Sequence, residues 1–185
     1  MSGVAPVSGY VLAGGMSTRM GRDKALLEVG DSTLLERVAA RVHKAVGNVT
    51  VIAPVGRYSG IGLRVIPDLV RGCGPLGGVY TAIKSSRTPW SLVVACDMPR
   101  ITSQFLNDLA SAQTADFDCV VAEGDGLHPL CAVYHRRCLR SIANAIRHKS
   151  LKMQDLISTL RVKKWPAANP RTLENTNTPQ EWSAR

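Results

Sequence analysis

LAGGMSTRMGRDKALL, residues 12–27, is the stretch of the sequence that most clearly indicates the fold. It continues a short apolar run, GYVLA at residues 9–13, which is typical of a buried strand that enters a loop. The stretch carries three glycines and three basic residues: Gly14, Gly15, Gly21, Arg19, Arg22 and Lys24. Glycines let backbone amides approach a phosphate chain, and cations neutralise its charge. A flexible surface turn with solvated charges is the alternative, but the preceding strand favours a phosphate-binding loop.

Apolar runs and helical spacings alternate along the rest of the chain. They predict strands at residues 9–13, 49–53, 63–66, 91–96, 118–122, 130–134 and 161–165. They predict helices at residues 33–46, 75–84, 101–112, 137–148 and 152–160. Strands that alternate with helices indicate βαβ units, so we expect an α/β fold with a mainly parallel sheet flanked by helices. The length of 185 residues fits one domain, residues 1–185.

The composition disfavours nucleic acid and membranes as partners. The net charge of +9 attracts anions, but the basic residues are dispersed, which disfavours a nucleic-acid partner. No apolar run reaches the ~20 residues of a membrane helix, so we expect no membrane partner. The five cysteines form no CxxC pair, which disfavours a disulfide or metal framework. With a first segment unlike a signal peptide, they predict a reducing, cytoplasmic location.

Polar residues follow several of the predicted strands. Right-handed crossovers bring such loops to one edge of the sheet, so the loops that begin at Gly14, Asp68, Asp97 and Glu123 should share a cleft. Asp97 ends a buried strand, where it is either a turn residue or a ligand of Mg²⁺ that bridges phosphates. Asp68 is either part of a Pro-Asp turn or an acceptor for a base or a ribose.

Two polar segments could contact a second substrate. His128 lies in a polar loop before the strand at residues 130–134, and Asn175 and Asn177 lie near the C-terminus. A satisfied loop histidine and a helix cap at Thr178, before a proline, are the commoner explanations of these segments.

Familiar catalytic motifs are missing from the sequence. Lys24 follows Gly21 without the Lys-Ser/Thr pair of a Walker A loop, and the glycines do not form GxGxxG. No serine lies in a GxSxG elbow, and no cysteine has an activating histidine nearby in sequence. These absences favour direct transfer between two bound substrates.

The motifs of this chain resemble those of the molybdenum cofactor guanylyltransferases. These are Rossmann-like nucleotidyltransferases that join GMP to the terminal phosphate of molybdopterin. The resemblance extends from about residue 10 to residue 182, and residues 12–27 are its strongest part. The other motifs follow in the family's order: VIPD at residues 65–68, GPLGG at 74–78, CDMP at 96–99, HPL at 128–130 and NTNTP at 175–179.

The resemblance implies a role for individual residues. GTP contacts are implied for Leu12, Ala13, Gly14, Gly15, Lys24, Asp68 and Asp97. Asp97 matches the aspartate that also holds Mg²⁺, the expected cofactor, and Arg19 would add charge near the triphosphate. The segments with His128, Asn175 and Asn177 resemble those on the molybdopterin side. The family also suggests transient contact with proteins that donate or receive the cofactor.

The implied reaction is attack of a molybdopterin phosphate oxygen on the α-phosphorus of GTP, with release of pyrophosphate. Arg19, Lys24 and Asp97 would stabilise the charge that develops. One departure is the segment VIAPVG, residues 51–56, which lacks the asparagine that contacts GTP in some members, and Asn48 is a poor substitute.

Three other functions stay open at this point. Related cytidylyltransferases carry LAAG where this chain has LAGG at residues 12–15, so CTP is an alternative donor. A sugar- or alcohol-phosphate nucleotidyltransferase could share the loop but use another acceptor. A GTP- or nucleic-acid-binding module without turnover would use the basic charge alone.

Overall fold

The protein's structure, a computed structural model, describes residues 5–14, 23–58 and 60–174. The strands are β1 (Val7–Leu12), β2 (Glu28–Val29), β3 (Ser32–Thr33), β4 (Thr50–Ile52), β5 (Val65–Ile66), β6 (Trp90–Ala95), β7 (Cys119–Glu123), β8 (Leu127–His135) and β9 (Val162–Pro166). The helices are α1 (Leu34–Val46), α2 (Gly74–Ser85), α3 (Ser103–Ser111), α4 (Cys138–Arg147) and α5 (Met153–Ser158). Short 3₁₀ turns lie at Lys24–Leu26 and Pro170–Leu173.

Seven of the described strands form one sheet, in the order β5-β4-β1-β6-β8-β7-β9. Its pairings are parallel except for the two that β8 makes, with β6 and with β7. The mainly parallel α/β sheet is therefore confirmed. The pair β2–β3 is a separate antiparallel hairpin that precedes α1, in a segment where the sequence predicts no strand.

The hairpin formed by β7 and β8 corrects one prediction. The loop between them spans only residues 124–126, because β8 begins at Leu127 rather than at Leu130. His128 therefore lies inside a strand, opposite Ala122 of β7, and not in a polar loop. A strand position holds the imidazole more firmly than a loop would, since its backbone is fixed on both sides.

Helix α1 forms where the sequence predicts it. The hydroxyl of Thr33 accepts from the amide of Glu36, and the Glu36 carboxylate accepts in return from the Thr33 amide at 2.8 Å, which is a capping box. Gly47, with a φ of 77°, ends the helix in the left-handed conformation that glycine adopts without strain. The buried positions repeat at helical spacing: Leu34, Leu35, Val38, Ala39, Val42 and Ala45.

The sheet separates two apolar clusters, which makes the molecule three layers thick. One face packs against α1 and α3, and the other packs against α2, α4 and α5. We call the cluster with α1 and α3 the first and the cluster with α2, α4 and α5 the second. Successive side chains of β1 point to opposite faces of the sheet, so Val11 belongs to the first cluster and Tyr10 to the second. Burial on both faces explains why these strands read as continuous apolar runs.

The end of α1 lies very close to the backbone of β1. A Cβ atom placed on Gly9 would lie 2.5 Å from Cγ1 of Val42 and 2.6 Å from the carbonyl oxygen of Asn48. The Asn48 side chain accepts from the Gly9 amide at 2.8 Å and donates to the carbonyl of Val7 at 3.0 Å. Asn48 therefore holds the beginning of β1, which is consistent with its being a poor substitute for the missing asparagine.

The last strand is fastened by a charged pair that predicts a pH effect. Asp118 accepts from the Arg161 amide at 3.0 Å and from its Nη2 at 2.9 Å. Hydrogen bonds from Arg161 hold the pKa of Asp118 below its ordinary value, despite partial burial. Its stabilisation is thus complete above the unfolded pKa of about 3.9 and is lost as the pH falls through the folded value.

We expect Asp118→Asn to lower the free energy of unfolding by about 1 kcal/mol at pH 7, because charge-assisted hydrogen bonds are lost but solvent screens a pair whose arginine is exposed. The difference from the parent should shrink to nothing at a pH below the lowered pKa of Asp118. Urea unfolding between pH 2.5 and 7 would measure it, with Asp31→Asn, on the exposed β2–β3 turn, as the control. A difference that does not change with pH would contradict the role of the charge.

Candidate functional site

The register of the parallel strands aligns the loops that follow them. Leu12 pairs with Ile52 and with Ala95, and Ile52 pairs with Ile66, so four strand ends lie in one row. The residues two positions beyond these ends include three predicted site residues: Gly14, Asp68 and Asp97. A Cβ atom on Gly14 would lie 3.6 Å from Oδ2 of Asp68, which shows how close these two loops are. The carboxyl ends of these strands thus lie at one edge of the sheet, and the loops that begin at Gly14 and Asp68 are adjacent there. A single cleft shared by all four loops stays a prediction.

Asp97 is the most unusual polar residue at this edge. Its Oδ1 is buried and has no hydrogen-bond partner among the residues that the structure describes. Burial raises the pKa of its carboxyl group, while its own backbone amide and the charge of Lys24 oppose the rise. An uncompensated buried carboxylate is costly unless a cation or a proton shares its charge.

Lys24 is brought to this site by a short turn with its own cap. Asp23 precedes the 3₁₀ turn Lys24–Leu26, and its Oδ1 accepts from the Ala25 amide at 3.1 Å. Ala25 is buried, which fixes the turn against the first apolar cluster. Lys24 therefore reaches the Asp97 region from a segment that is capped and anchored, consistent with its predicted contact to a phosphate.

Asp68 lies beside Thr81, in the second half of α2. The Thr81 hydroxyl lies 2.9 Å from the Gly77 carbonyl and 3.4 Å from Oδ1 of Asp68, so its single hydrogen favours the carbonyl. The same hydroxyl accepts from the Leu69 amide at 3.0 Å, which fixes the loop after β5. Burial raises the pKa of Asp68, and the Thr81 contact opposes the rise. The carboxylate thus keeps accepting capacity for a ligand.

A cavity of about 250 Å³ opens between Asp97 and the β7–β8 hairpin. Asp97 and Met98 line one side, and His128, Pro129 and Leu130 line another. Burial lowers the pKa of His128, and the nearby Asp125 opposes the fall, so the imidazole is mainly neutral at pH 7. The structure thus brings a predicted acceptor contact and the predicted metal ligand into one cavity.

A larger groove, of about 610 Å³, lies between α1 and the beginning of α3. Its lining includes Arg37, Arg41 and Lys44 but none of the predicted site residues. Because it lies on the helical face and not at the strand ends, its size does not make it the better site for phosphate transfer.

Several residues at the site were not predicted from the sequence. The start of α5 contributes Met153 and Gln154 to the cavity, and no local sequence signal marks them. Tyr58, in the loop after β4, reaches Asp23 and the carbonyl of Ala13. Other predicted residues lie outside the described part of the chain: Gly15, Arg19, Asn175 and Asn177.

The sequence and the fold have counterparts among known proteins. The family described as MobA-like NTP transferase domain matches residues 9–164. The chain belongs to this family. A probable molybdenum cofactor guanylyltransferase of Pelotomaculum thermopropionicum is 37% identical over 94% of this chain and 89% of its own length. One of Flavobacterium johnsoniae with the same name is 33% identical over 80% of this chain and 79% of its own.

Among solved structures, molybdopterin-guanine dinucleotide biosynthesis protein A of Archaeoglobus fulgidus superposes with a TM-score of 0.80. The superposition covers 95% of this chain and 95% of the Archaeoglobus chain, at 22% sequence identity. This likeness shows that the two chains share the Rossmann-like nucleotidyltransferase fold. The resemblance read from the motifs at residues 12–27, 65–68 and 96–99 is therefore confirmed. In the part of this MobA-like chain that the structure describes, no helix is long and apolar enough to cross a bilayer.

Covalent catalysis by the nearest thiol does not fit this NTP transferase. Burial, together with the carboxylate of Asp97, raises the pKa of Cys96 to about 12, so that it stays protonated at neutral pH. Cys131 of the first apolar cluster and Cys119 and Cys138 of the second also have buried side chains. Burial raises the pKa of each of these thiols as well, so none of the four is a thiolate at neutral pH, which is consistent with the expected direct transfer.

Proposed function

We propose that this chain transfers GMP from GTP to the terminal phosphate of molybdopterin, with release of pyrophosphate. The observation that carries the proposal is the buried Oδ1 of Asp97, which has no hydrogen-bond partner among the described residues, in a side chain that belongs to the lining of the same cavity as His128. A carboxylate suited to a cation thus lies within electrostatic reach of Lys24 and lines a cavity that could receive a second substrate. The names of the curated relatives supply the two substrates.

A magnesium ion fits the chemistry of this site. Mg²⁺ keeps several waters and is held by one or two carboxylates plus phosphate oxygens, so one protein carboxylate suffices. In the described residues, no group of three histidine, cysteine or acidic side chains could hold a metal. Three buried side-chain oxygens there lack a hydrogen-bond partner, those of Ser91, Asp97 and Gln113, and among these only the oxygen of Asp97 belongs to a carboxylate. When bound, the ion would neutralise phosphate charge and polarise the α-phosphate.

Each side chain would have a separate role in an in-line displacement at the α-phosphorus. An oxygen of the acceptor phosphate forms a bond to the α-phosphorus of GTP as the bond to the bridging oxygen of pyrophosphate breaks. Lys24 and Arg19 would stabilise the charge that grows on the leaving pyrophosphate. The backbone at Leu12, Ala13, Gly14 and Gly15 would approach the nucleotide, and Asp68 would accept from it. His128, with Asn175 and Asn177, would orient the acceptor.

The relatives favour GTP over CTP as the donor. Both curated relatives described above are named guanylyltransferases, which agrees with the second glycine of LAGG at residues 12–15. Transfer from CTP to the same acceptor, or transfer to a sugar phosphate, is therefore not favoured. The location that we propose is cytoplasmic, with transient contacts to proteins that supply or receive the cofactor, and the five free cysteines support it.

Pyrophosphate release tests the proposal. Purified protein with Mg²⁺ and molybdopterin should release pyrophosphate with GTP and far more slowly with CTP, ATP or UTP. Removal of divalent ions by a chelator should stop the release, and added Mg²⁺ should restore it. A preference for CTP would replace the donor, whereas no release with any nucleotide would argue against this acceptor or against transfer itself.

A further inference from the structure

The loop after β4 contains a buried tyrosine in a strained backbone conformation. Tyr58 has a φ of 61°, in the left-handed region that side chains other than glycine, asparagine and aspartate rarely adopt. It is nevertheless 7% exposed and packs in the first apolar cluster. Such strain persists where surrounding contacts fix it, and it is concentrated at functional sites.

The hydroxyl of this tyrosine reaches the base of the nucleotide loop. It lies 2.8 Å from Oδ2 of Asp23 and 3.2 Å from the carbonyl oxygen of Ala13. A hydroxyl has one hydrogen to donate, and the nearer, charged acceptor is the better one. Tyr58 therefore donates to Asp23 while standing beside the backbone that ends β1.

The Asp23 carboxylate connects this tyrosine to Lys24. Its Oδ2 accepts from Tyr58 and lies 3.5 Å from Nε of Arg57, while its Oδ1 caps the turn that begins at Lys24. Both oxygens are therefore engaged, and the orientation of the turn depends on the carboxylate. Because Lys24 is the next residue, a displaced Asp23 would move the Lys24 backbone and its ammonium group away from Asp97.

We propose that Tyr58 is a positioning residue, which places Lys24 at the nucleotide by holding the Asp23 carboxylate against the end of β1. The inference rests on the proposed function for the identity of the nucleotide. It also assigns a role to the loop after β4, where the segment VIAPVG, residues 51–56, lacks an asparagine. In this role, the loop after β4 contributes to nucleotide binding by orienting the segment that contains Asp23 and Lys24.

A double-mutant cycle tests this role with the full chain and Mg·GTP. Tyr58→Phe should weaken the affinity for GTP and lower kcat/KM about tenfold, because small displacements of charged groups have large effects. In the Lys24→Ala background, the same substitution should change the GTP affinity less than about twofold, since the lysine that it positions is gone. Calorimetry and pyrophosphate release measure the two quantities.

Two further variants complete the design. Tyr80→Phe removes a hydroxyl from helix α2 and should leave the GTP affinity unchanged. Asp23→Asn removes the charged acceptor and should weaken GTP binding without adding to the effect of Tyr58→Phe. It also gives a second route to the answer if the Tyr58 variant folds poorly.

The outcomes separate this inference from the proposed function. If Lys24→Ala weakens GTP binding but Tyr58→Phe does not, the positioning role is wrong and the nucleotide site stands. If the effects of Tyr58→Phe and Lys24→Ala multiply, Tyr58 acts by another path and the inference is also overturned. If Lys24→Ala leaves GTP binding intact, the nucleotide site itself is wrong.

Discussion

Asp97→Asn is expected to slow pyrophosphate release about 10²- to 10³-fold, by comparison with the removal of single electrostatic groups elsewhere. The substitution keeps the shape of the side chain but removes the charge that would hold Mg²⁺ against the phosphates. Because Oδ1 of Asp97 has no partner in the described part of the protein, the loss should fall on metal and nucleotide rather than on an internal contact. Single-turnover rates at saturating GTP would measure the effect.

The same substitution should leave the folded state at least as stable as the parent at neutral pH without metal. Burial raises the pKa of Asp97, so the folded protein holds this proton more tightly than the unfolded chain does. Stability contributed by this group is present at low pH and is lost as the pH rises through the raised pKa. Asparagine, which is neutral at every pH, avoids that loss.

A comparison with Asp116→Asn makes the test specific, since Asp116 is exposed and precedes β7 at the other edge of the sheet. That control should change neither the rate nor the midpoint of thermal unfolding. Substantial unfolding of Asp97→Asn, or a rate within tenfold of the parent, would be incompatible with a carboxylate that is reserved for a cation.

Gly9→Ala is expected to lower the free energy of unfolding by about 3 kcal/mol, the upper part of the range for overpacked cores. Two of the atoms nearest to the added methyl group are Cγ1 of Val42 and the carbonyl oxygen of Asn48, at 2.5 and 2.6 Å. The carbonyl belongs to the backbone and cannot move as the end of a flexible side chain can. The change should therefore push α1 away from β1.

Urea unfolding would measure this loss, and Gly126→Ala offers a matched control. A Cβ atom on Gly126, in the loop between β7 and β8, would meet nothing within 4 Å among the described atoms. The same chemical change there should alter the free energy of unfolding by less than about 1 kcal/mol. Equal effects of the two substitutions would show that α1 and β1 pack less tightly than the distances indicate.

Local patterns predicted most of the elements because each has a short-range cause. Thr33 and Glu36 form a capping box, and Gly47 closes the same helix, so the prediction for residues 33–46 needed no tertiary information. At the beginning of α3, the Thr102 hydroxyl accepts from the Phe105 amide at 3.1 Å, which is a local N-cap. The apolar run of β6 was found because parallel strands are buried on both faces.

The antiparallel direction of β8 has a signal in the sequence, which a pattern of βαβ units hides. The sequence EGDGL, residues 123–127, has the glycines of a tight hairpin, which predicts two antiparallel strands. Reading the whole chain as βαβ units left His128 in a loop. The error concerns only where the histidine lies, because either arrangement brings it to the carboxyl edge of the sheet.

The parts of the site that escaped prediction are held together by contacts between distant residues. Tyr58 meets Asp23 across 35 positions, and Met153 joins the cavity of Asp97 from 56 positions away. Neither residue belongs to a local motif, and a tyrosine with a positive φ cannot be recognised from its neighbours. By contrast, Asp68, Asp97 and Lys24 were found because each directly follows a strand or lies in a glycine-rich loop.

The two edge strands of the sheet bear on how these molecules behave when they are crowded. An open edge presents unpaired amides and carbonyls, and it can recruit a strand of another chain into an aggregate. Here β5 is only two residues long, while β9 carries Lys163 and Lys164 and ends at Pro166, which has no amide hydrogen to donate. Charge, brevity and proline thus discourage growth of the sheet from either side, even in newly made copies at high concentration.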